Sequence, residues 1–194
     1  MTQRLILASN NAGKLREFAE ILGPIGFTLH PQGEFAVPEA DEPFATFVEN
    51  ALHKARHAAR LTGLPALADD SGVCVNALGG APGVYSARYA GEPKSDAKNS
   101  EKLIADLGAH ADKSAYYYCV LVYVRHADDP QPVIADGRWD GEIVATARGA
   151  NGFGYDPHFW LPALGKTTAE LTPEEKNGLS HRGQALRALV EKLR

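Results

Sequence analysis

YYYCVLVYV (116–124), HADDPQ (126–131) and VIADGRW (133–139) follow one another with no helical pattern between them. The first run is rich in aromatic and β-branched residues, which suit a pleated, half-buried surface. Asp128-Asp129-Pro130 is turn chemistry. The chain therefore doubles back into a second strand, and a third at about 141–147 extends a meander. Strands joined in this way favour a mixed sheet over a purely parallel one.

The amino-terminal part has a different rhythm. RLILAS (4–9) reads as a buried strand that feeds the turn Ser-Asn-Asn-Ala-Gly. Leu15, Phe18, Ala19 and Leu22 then recur at helical spacing until Gly23-Pro24 stops them. A second strand at 27–30 leads into a polar loop, QGEFAVPEADEP (32–43). Phe44, Phe47, Val48, Ala51 and Ala55 mark a longer amphipathic helix running to about Leu61. Residues 65–75 return to strand character, and NALGGAPGVYSARYAG (76–91) is a structured loop with aromatic anchors. Ser95-Asp96 caps a helix reaching Leu107. Thr172-Pro173-Glu174-Glu175 is a capping box opening a short helix that Gly178 ends. Leu186, Leu189, Val190 and Leu193 face the last helix inward. Helices and strands alternate early and strands cluster later, so the expected class is α/β, a mixed sheet flanked by helices. No internal repeat interrupts residues 1–194, which are read as one domain.

Composition narrows the function. The 194 residues are 44% hydrophobic and 23% charged, enough for a sizeable core. A net charge of −4 with no basic run makes nucleic acid a poor partner. It leaves room for a polyanionic small molecule met by a few local cations. Cys74 and Cys119 lie in apolar runs and read as reduced, buried thiols, fitting neither a disulfide framework nor a metal site. The apolar run in MTQRLILASNNAGK is too short for a signal peptide. No window approaches the ~20 apolar residues of a membrane span. A cytoplasmic protein with no membrane partner is expected.

Five segments carry chemistry. In SNNAGK (9–14), a polar turn before a helix exposes backbone N–H groups where anions bind, and Lys14 adds a cation. An ordinary helix cap is the alternative. The segment is no P-loop, because the first glycine is missing and Leu15 stands where a Ser or Thr would hold magnesium. Asn50 and Lys54 share one flank of the second helix, which could equally be a solvated face. Upstream, Glu39, Asp41 and Glu42 form an acidic loop able to supply oxygen ligands.

LADDSGVCV (67–75) sets Asp69 beside Asp70 within apolar flanks. Adjacent strand residues face opposite ways, so both cannot serve one ligand unless the strand ends, and Ser71-Gly72 is read as that break. One carboxylate then bears magnesium or activates water while its neighbour orients the loop. GANGFGYDPHF (149–159) offers Phe153 for stacking on a flat ring and Asp156 for hydrogen bonding. Lys176 and Arg182 only donate, as a purine oxo group requires. His53 and His57 share a helix face without a third ligand, which argues against a zinc site.

In this order the segments SNNAGK, FVENALHKARHAA, LADDSGVCVNALGGAPGVYSARYAG, GFGYDPHF and AELTPEEKNGLSHRGQAL resemble the inosine triphosphate pyrophosphatase family over nearly the whole chain. The resemblance implies an elongated mixed α/β fold, two lobes around a nucleotide-binding cleft, and a homodimer. It implies Mg2+-dependent hydrolysis of ITP, dITP and XTP between the α and β phosphates, giving a nucleoside monophosphate and pyrophosphate. Carried over by motif, Ser9, Asn10, Asn11, Ala12, Gly13 and Lys14 hold the triphosphate with Lys54. Asp70 is the catalytic carboxylate and a metal ligand, Ser71 touches substrate, and Glu42 or Asp41 assists the metal. Phe153, Gly154, Tyr155, Asp156, Lys176, His181 and Arg182 form the base pocket.

The residue chemistry agrees with that assignment. Lys14, Lys54, Lys176, Arg182 and magnesium balance a triphosphate on a net acidic chain. Donors facing a 6-oxo group would be left unpaired by the amino group of adenine. Two rivals stay open: a pyrophosphatase with another base preference, and a nucleotide sensor without turnover.

Overall fold

The apolar run near the amino terminus becomes β1 (Gln3–Leu7) in the computed structural model, which describes residues 2–194. β1 lies parallel to β2 (Phe27–Pro31) on one side and to β3 (Ala66–Val75) on the other. Parallel neighbours need crossover connections, and α1 (Ala12–Leu22) and α2 (Phe47–Thr62) supply them. β4 (Ser114–Val124) and β5 (Val133–Ile143) continue the sheet. β6 (Phe159–Leu161) is antiparallel to β5, and β7 (Lys166–Thr167) to β6. The strand order is β2-β1-β3-β4-β5-β6-β7, a mixed sheet. The remaining helices are α3 (Asp96–Leu107), α4 (Pro173–Leu179) and α5 (His181–Leu193). Among the described residues no helix is long and apolar enough to cross a membrane.

The turn in the opening segment is built by Asp129. Its carboxylate accepts from the backbone N–H and Nε of Arg125 at 2.9 and 2.8 Å and from the Gln131 N–H at 2.9 Å. Four sequence expectations need correction. The proposed strand at 141–147 does not exist separately; β5 runs on through Gly141 to Ile143. A side chain at Gly141 would meet the Phe159 ring and the Trp160 carbonyl oxygen at 2.5 Å, so this glycine serves close packing. The break expected at Ser71-Gly72 is absent, and β3 is continuous. Gly178 sits inside α4, whose end is set by the Ser180 N–H donating to the Lys176 carbonyl at 2.7 Å. α2 begins at Phe47 because Thr46 caps it, leaving Phe44 outside the helix and paired with the Asn50 amide. The short strands β6 and β7 have too few residues for a periodic signal.

Two compact units divide the chain. The first comprises residues 2–70, 119–137 and 182–194; the second comprises 71–118 and 138–181. In the first, Leu5, Leu7 and Leu67 pack with Phe18 and Leu22 of α1 and with Leu186 and Leu189 of α5. Each such fully buried side chain contributes about 1.5–3 kcal/mol. α2 buries small residues instead, Ala51, Ala55, Ala58 and Ala59. In the second, Val73, Val75, Leu103, Leu107, Tyr117, Ile143, Phe159 and Leu161 form a separate core.

Gly72 belongs to that second core's edge. A Cβ there would come within 2.3 Å of the Gly83 carbonyl oxygen and 2.5 Å of Ser86 Oγ. Backbone cannot yield cheaply, so Gly72→Ala is expected to lower unfolding free energy by about 1–3 kcal/mol. Urea denaturation checks this, and an unchanged midpoint would contradict the close-approach role.

Candidate active site

Alternation along β3 separates the two adjacent carboxylates without any break in the strand. Leu67 points into the cluster shared by α1 and α5. Two residues on, Asp69 faces the same way and meets Lys14 of α1 and Arg182 of α5. Asp70 faces with Ala66 and Ala68 and meets Asn50 and Lys54 of α2. Asp69 and Asp70 are both buried, so each needs donors of its own to remain charged. They therefore have different partners and different electrostatics.

Lys54 stands between two carboxylates. Its Nζ lies 2.6 Å from Glu42 Oε1 and 3.4 Å from Asp70 Oδ1. Asn50 Nδ2 donates to Asp70 Oδ2 at 3.2 Å. Burial pushes the Asp70 carboxyl up to about 6; Lys54 and Asn50 oppose that push and Glu42 adds to it. Burial pulls Lys54 down, but Asp70, Asp69 and Glu42 outweigh it and leave its pKa raised. Burial also works against an ionised Asp69, yet Lys14, Arg182 and Lys54 hold it well below the usual carboxylate range. One carboxylate is thus firmly anionic, and the other is poised to exchange a proton near neutral pH. Asp41, the alternative to Glu42 in the acidic loop, is exposed.

The SNNAGK turn is a helix cap in this structure. Asn11 Oδ1 accepts from the N–H groups of Gly13 and Lys14 at 2.9 and 3.0 Å, satisfying two of the helix's initial donors. Ser9 Oγ accepts from the Asn11 N–H at 3.2 Å, and Asn10 Oδ1 from the Gly33 N–H at 2.8 Å. Ala12 and Gly13 open α1 on the surface. The Lys14 side chain leaves that surface for Asp69, with Nζ 2.9 Å from both carboxylate oxygens.

A second group gathers in the other unit. Asp156 Oδ2 accepts from the Phe153 N–H at 2.8 Å and pairs with Lys176 Nζ. Asp156 Oδ1 accepts from Thr168 Oγ1 at 2.9 Å and Tyr117 Oη at 3.2 Å. Four donors occupy this buried carboxylate, and Lys176 lies 5.1 Å from the centre of the Phe153 ring. Phe153 is 64% exposed, a flat apolar face with a cation beside it. Asp96 accepts from the Gly154 N–H at 2.7 Å. Tyr155 turns inward, its hydroxyl donating to the Ser86 carbonyl at 2.7 Å. His181 stacks on Tyr117 with ring centroids 4.8 Å apart. Ser71 is half-buried on β3.

The structure thus joins Lys14, Asp69 and Arg182 in one cluster, Lys54, Asp70 and Glu42 in another, and Phe153, Asp156, Lys176 in a third. Sequence reasoning gave no ligand-site role to Asp69, Glu17, Tyr117, Thr168 or Asp96. Tyr117 hides in an aromatic strand run, and Thr168 and Asp96 are ordinary capping types. Only Asp69 carried a signal, a charge flanked by core residues.

Asp70 yields a stability test. A carboxyl with a higher pKa in the folded than in the unfolded state binds its proton more tightly when folded. The stability it contributes is present below about pH 4 and lost as pH rises toward about 6. In metal-free buffer Asp70→Asn should match wild type near pH 4 and melt a few degrees higher at about pH 8. Melting temperatures that coincide throughout would remove the burial argument.

A sequence profile of the Ham1 family matches residues 5–192. A "dITP/XTP pyrophosphatase" from Ralstonia nicotianae is 67% identical over 99% of this chain and 97% of its own length. One of the same name from Chromobacterium violaceum is 64% identical over 100% and 98%. Among solved structures, a HAM1 protein from Coxiella burnetii superposes with a TM-score of 0.96 at 50% identity, covering 100% of this chain and 98% of that one. The Staphylococcus aureus Ham1 protein gives 0.91 at 41%, covering 98% of each. With a buried aspartate pair, lysines held against it and this likeness along its whole length, the chain belongs to the Ham1 family.

Proposed function

We propose that this chain, acting as one catalytic domain over residues 1–194, hydrolyses the deaminated purine nucleotides dITP, ITP and XTP to the nucleoside monophosphate and pyrophosphate. The observation that carries the reading is Lys54 held between Asp70 and Glu42, in a chain whose relatives are named dITP/XTP pyrophosphatases. Water attacks the α phosphorus, the bond to the α–β bridging oxygen breaks, and pyrophosphate leaves with that oxygen. Asp70 orients the water and takes its proton, the task for which a pKa pushed up to about 6 suits it. Lys54 and Lys14 offset the phosphate charge in fixed positions, so little reorganisation is needed during reaction.

Magnesium suits the donors present. Among the described residues no three His, Cys, Asp or Glu side chains group around one metal position. Asp70 and Glu42 do share one cation, and two carboxylates are enough for an ion that completes its shell with waters and substrate phosphates. Bound there, Mg2+ would supply charge neutralisation at the phosphates. Asp41, being exposed, is the weaker candidate. For the base, Phe153 offers a stacking face, while Lys176 offers a donor to the 6-oxo group, helped by His181. Adenine presents an amino group instead and leaves those donors unmatched. We further propose a cytoplasmic homodimer; its two buried free cysteines suit a reducing compartment, and sedimentation at assay concentration tests the dimer.

Pyrophosphate release measured with dITP, XTP, dGTP, dATP and TTP in the presence of magnesium tests the activity. The deaminated purines should be turned over by far the fastest. Equal rates on dGTP and dITP sink the specificity, and no turnover at all means a nucleotide sensor. Asp70→Asn should lower kcat by about 10²–10⁴-fold while nucleotide binding persists. Lys14→Ala should weaken triphosphate binding more than monophosphate binding; equal losses would contradict its phosphate role.

A further inference from the structure

Asp69 has no part in the reaction just described. It lies on the face of β3 opposite Asp70, its side chain is 2% exposed, and no substrate atom can reach it. Two cations nevertheless converge on it. Lys14 Nζ is 2.9 Å from both of its oxygens, and Arg182 Nε is 3.5 Å from Oδ2. Glu17, one turn along α1 from Lys14, lies 3.8 Å from Arg182 Nη1.

Both cations occupy positions that helix energetics disfavours. Lys14 sits in the first turn of α1 and Arg182 in the first turn of α5, at the positive ends of the two dipoles. Neither helix places an acidic residue in that turn. Burying a carboxylate with two partly buried cations is also a poor route to stability, since apolar replacements of such groups are often neutral or better. An arrangement unfavourable locally and indifferent globally makes sense where the cations must be presented to an anion. Lys14 keeps 25% of its side chain exposed while the carboxylate holds its inner side.

We infer that Asp69 is a positioning residue, a buried clamp that fixes Lys14 and Arg182, the first-turn cations of α1 and α5, for binding the nucleoside triphosphate. This rests on the hydrolysis proposed above. Its substrate-side partner is the polyphosphate, so its loss should appear in KM and leave the chemical step at Asp70 nearly intact.

A double-mutant cycle in dITP hydrolysis tests the clamp, using Asp69→Asn, Lys14→Met and the pair, each assayed below its melting temperature. Asp69→Asn alone should raise KM about tenfold with kcat within about threefold of wild type. In the Lys14→Met background the same change should cost clearly less than about tenfold, because only Arg182 is left for it to position. Equal costs in the two backgrounds, or a fall in kcat with KM unchanged, overturn the clamp. If Asp69→Asn does not fold, Asp69→Glu keeps the charge and displaces it by a methylene. It should raise KM several-fold, and a wild-type KM overturns the clamp equally. Wild-type protein that releases no pyrophosphate from dITP would instead strike the underlying hydrolysis reading.

Discussion

A carboxylate taken out of water costs several kcal/mol unless cations and hydrogen-bond donors meet it. Asp69, Asp70 and Asp156 are all buried, and each is met by a lysine: Lys14, Lys54 and Lys176 in turn. The local structure around each follows from satisfying that group. Lys14 brings the start of α1 against β3, Lys54 ties the acidic loop to α2 through Glu42, and Lys176 fixes the Phe153 loop to α4. Each of these lysines is thus held in place by a buried carboxylate.

That arrangement also differentiates two chemically identical residues. Asp69 has Lys14 and Arg182 beside it and stays anionic. Asp70 has a shared lysine, an amide and a neighbouring carboxylate, and its pKa rises. One residue of offset on a continuous strand produces this difference, because it exchanges the α1–α5 face for the α2 face. Glycines take part where backbones must touch. Gly72 and Gly141 sit in regular strands because Gly83 and Phe159 leave no room for a side chain.

Much of the fold was legible from pattern. The spacing of Leu15, Phe18 and Leu22 located α1, Ser95 began α3 as its composition implied, and the Thr172 capping box formed as written. Errors clustered where a residue type has two uses. Ser71-Gly72 and Gly178 carry stop chemistry in isolation, but the first lies inside β3 and the second inside α4. β6 and β7 were too short to read.

By itself the sequence determined most of the elements and that the sheet is mixed, since periodicity, capping and turn preferences are local properties. It also marked Asp69 and Asp70 as a charge problem by placing them among core residues. Only the tertiary structure decided how that problem is solved. Partners such as Lys14 and Arg182 are far from Asp69 in sequence, and no local rule states which face of β3 each helix covers. Burial and ion pairing are properties of that arrangement, and they raised the pKa of one aspartate while two cations lowered that of the other.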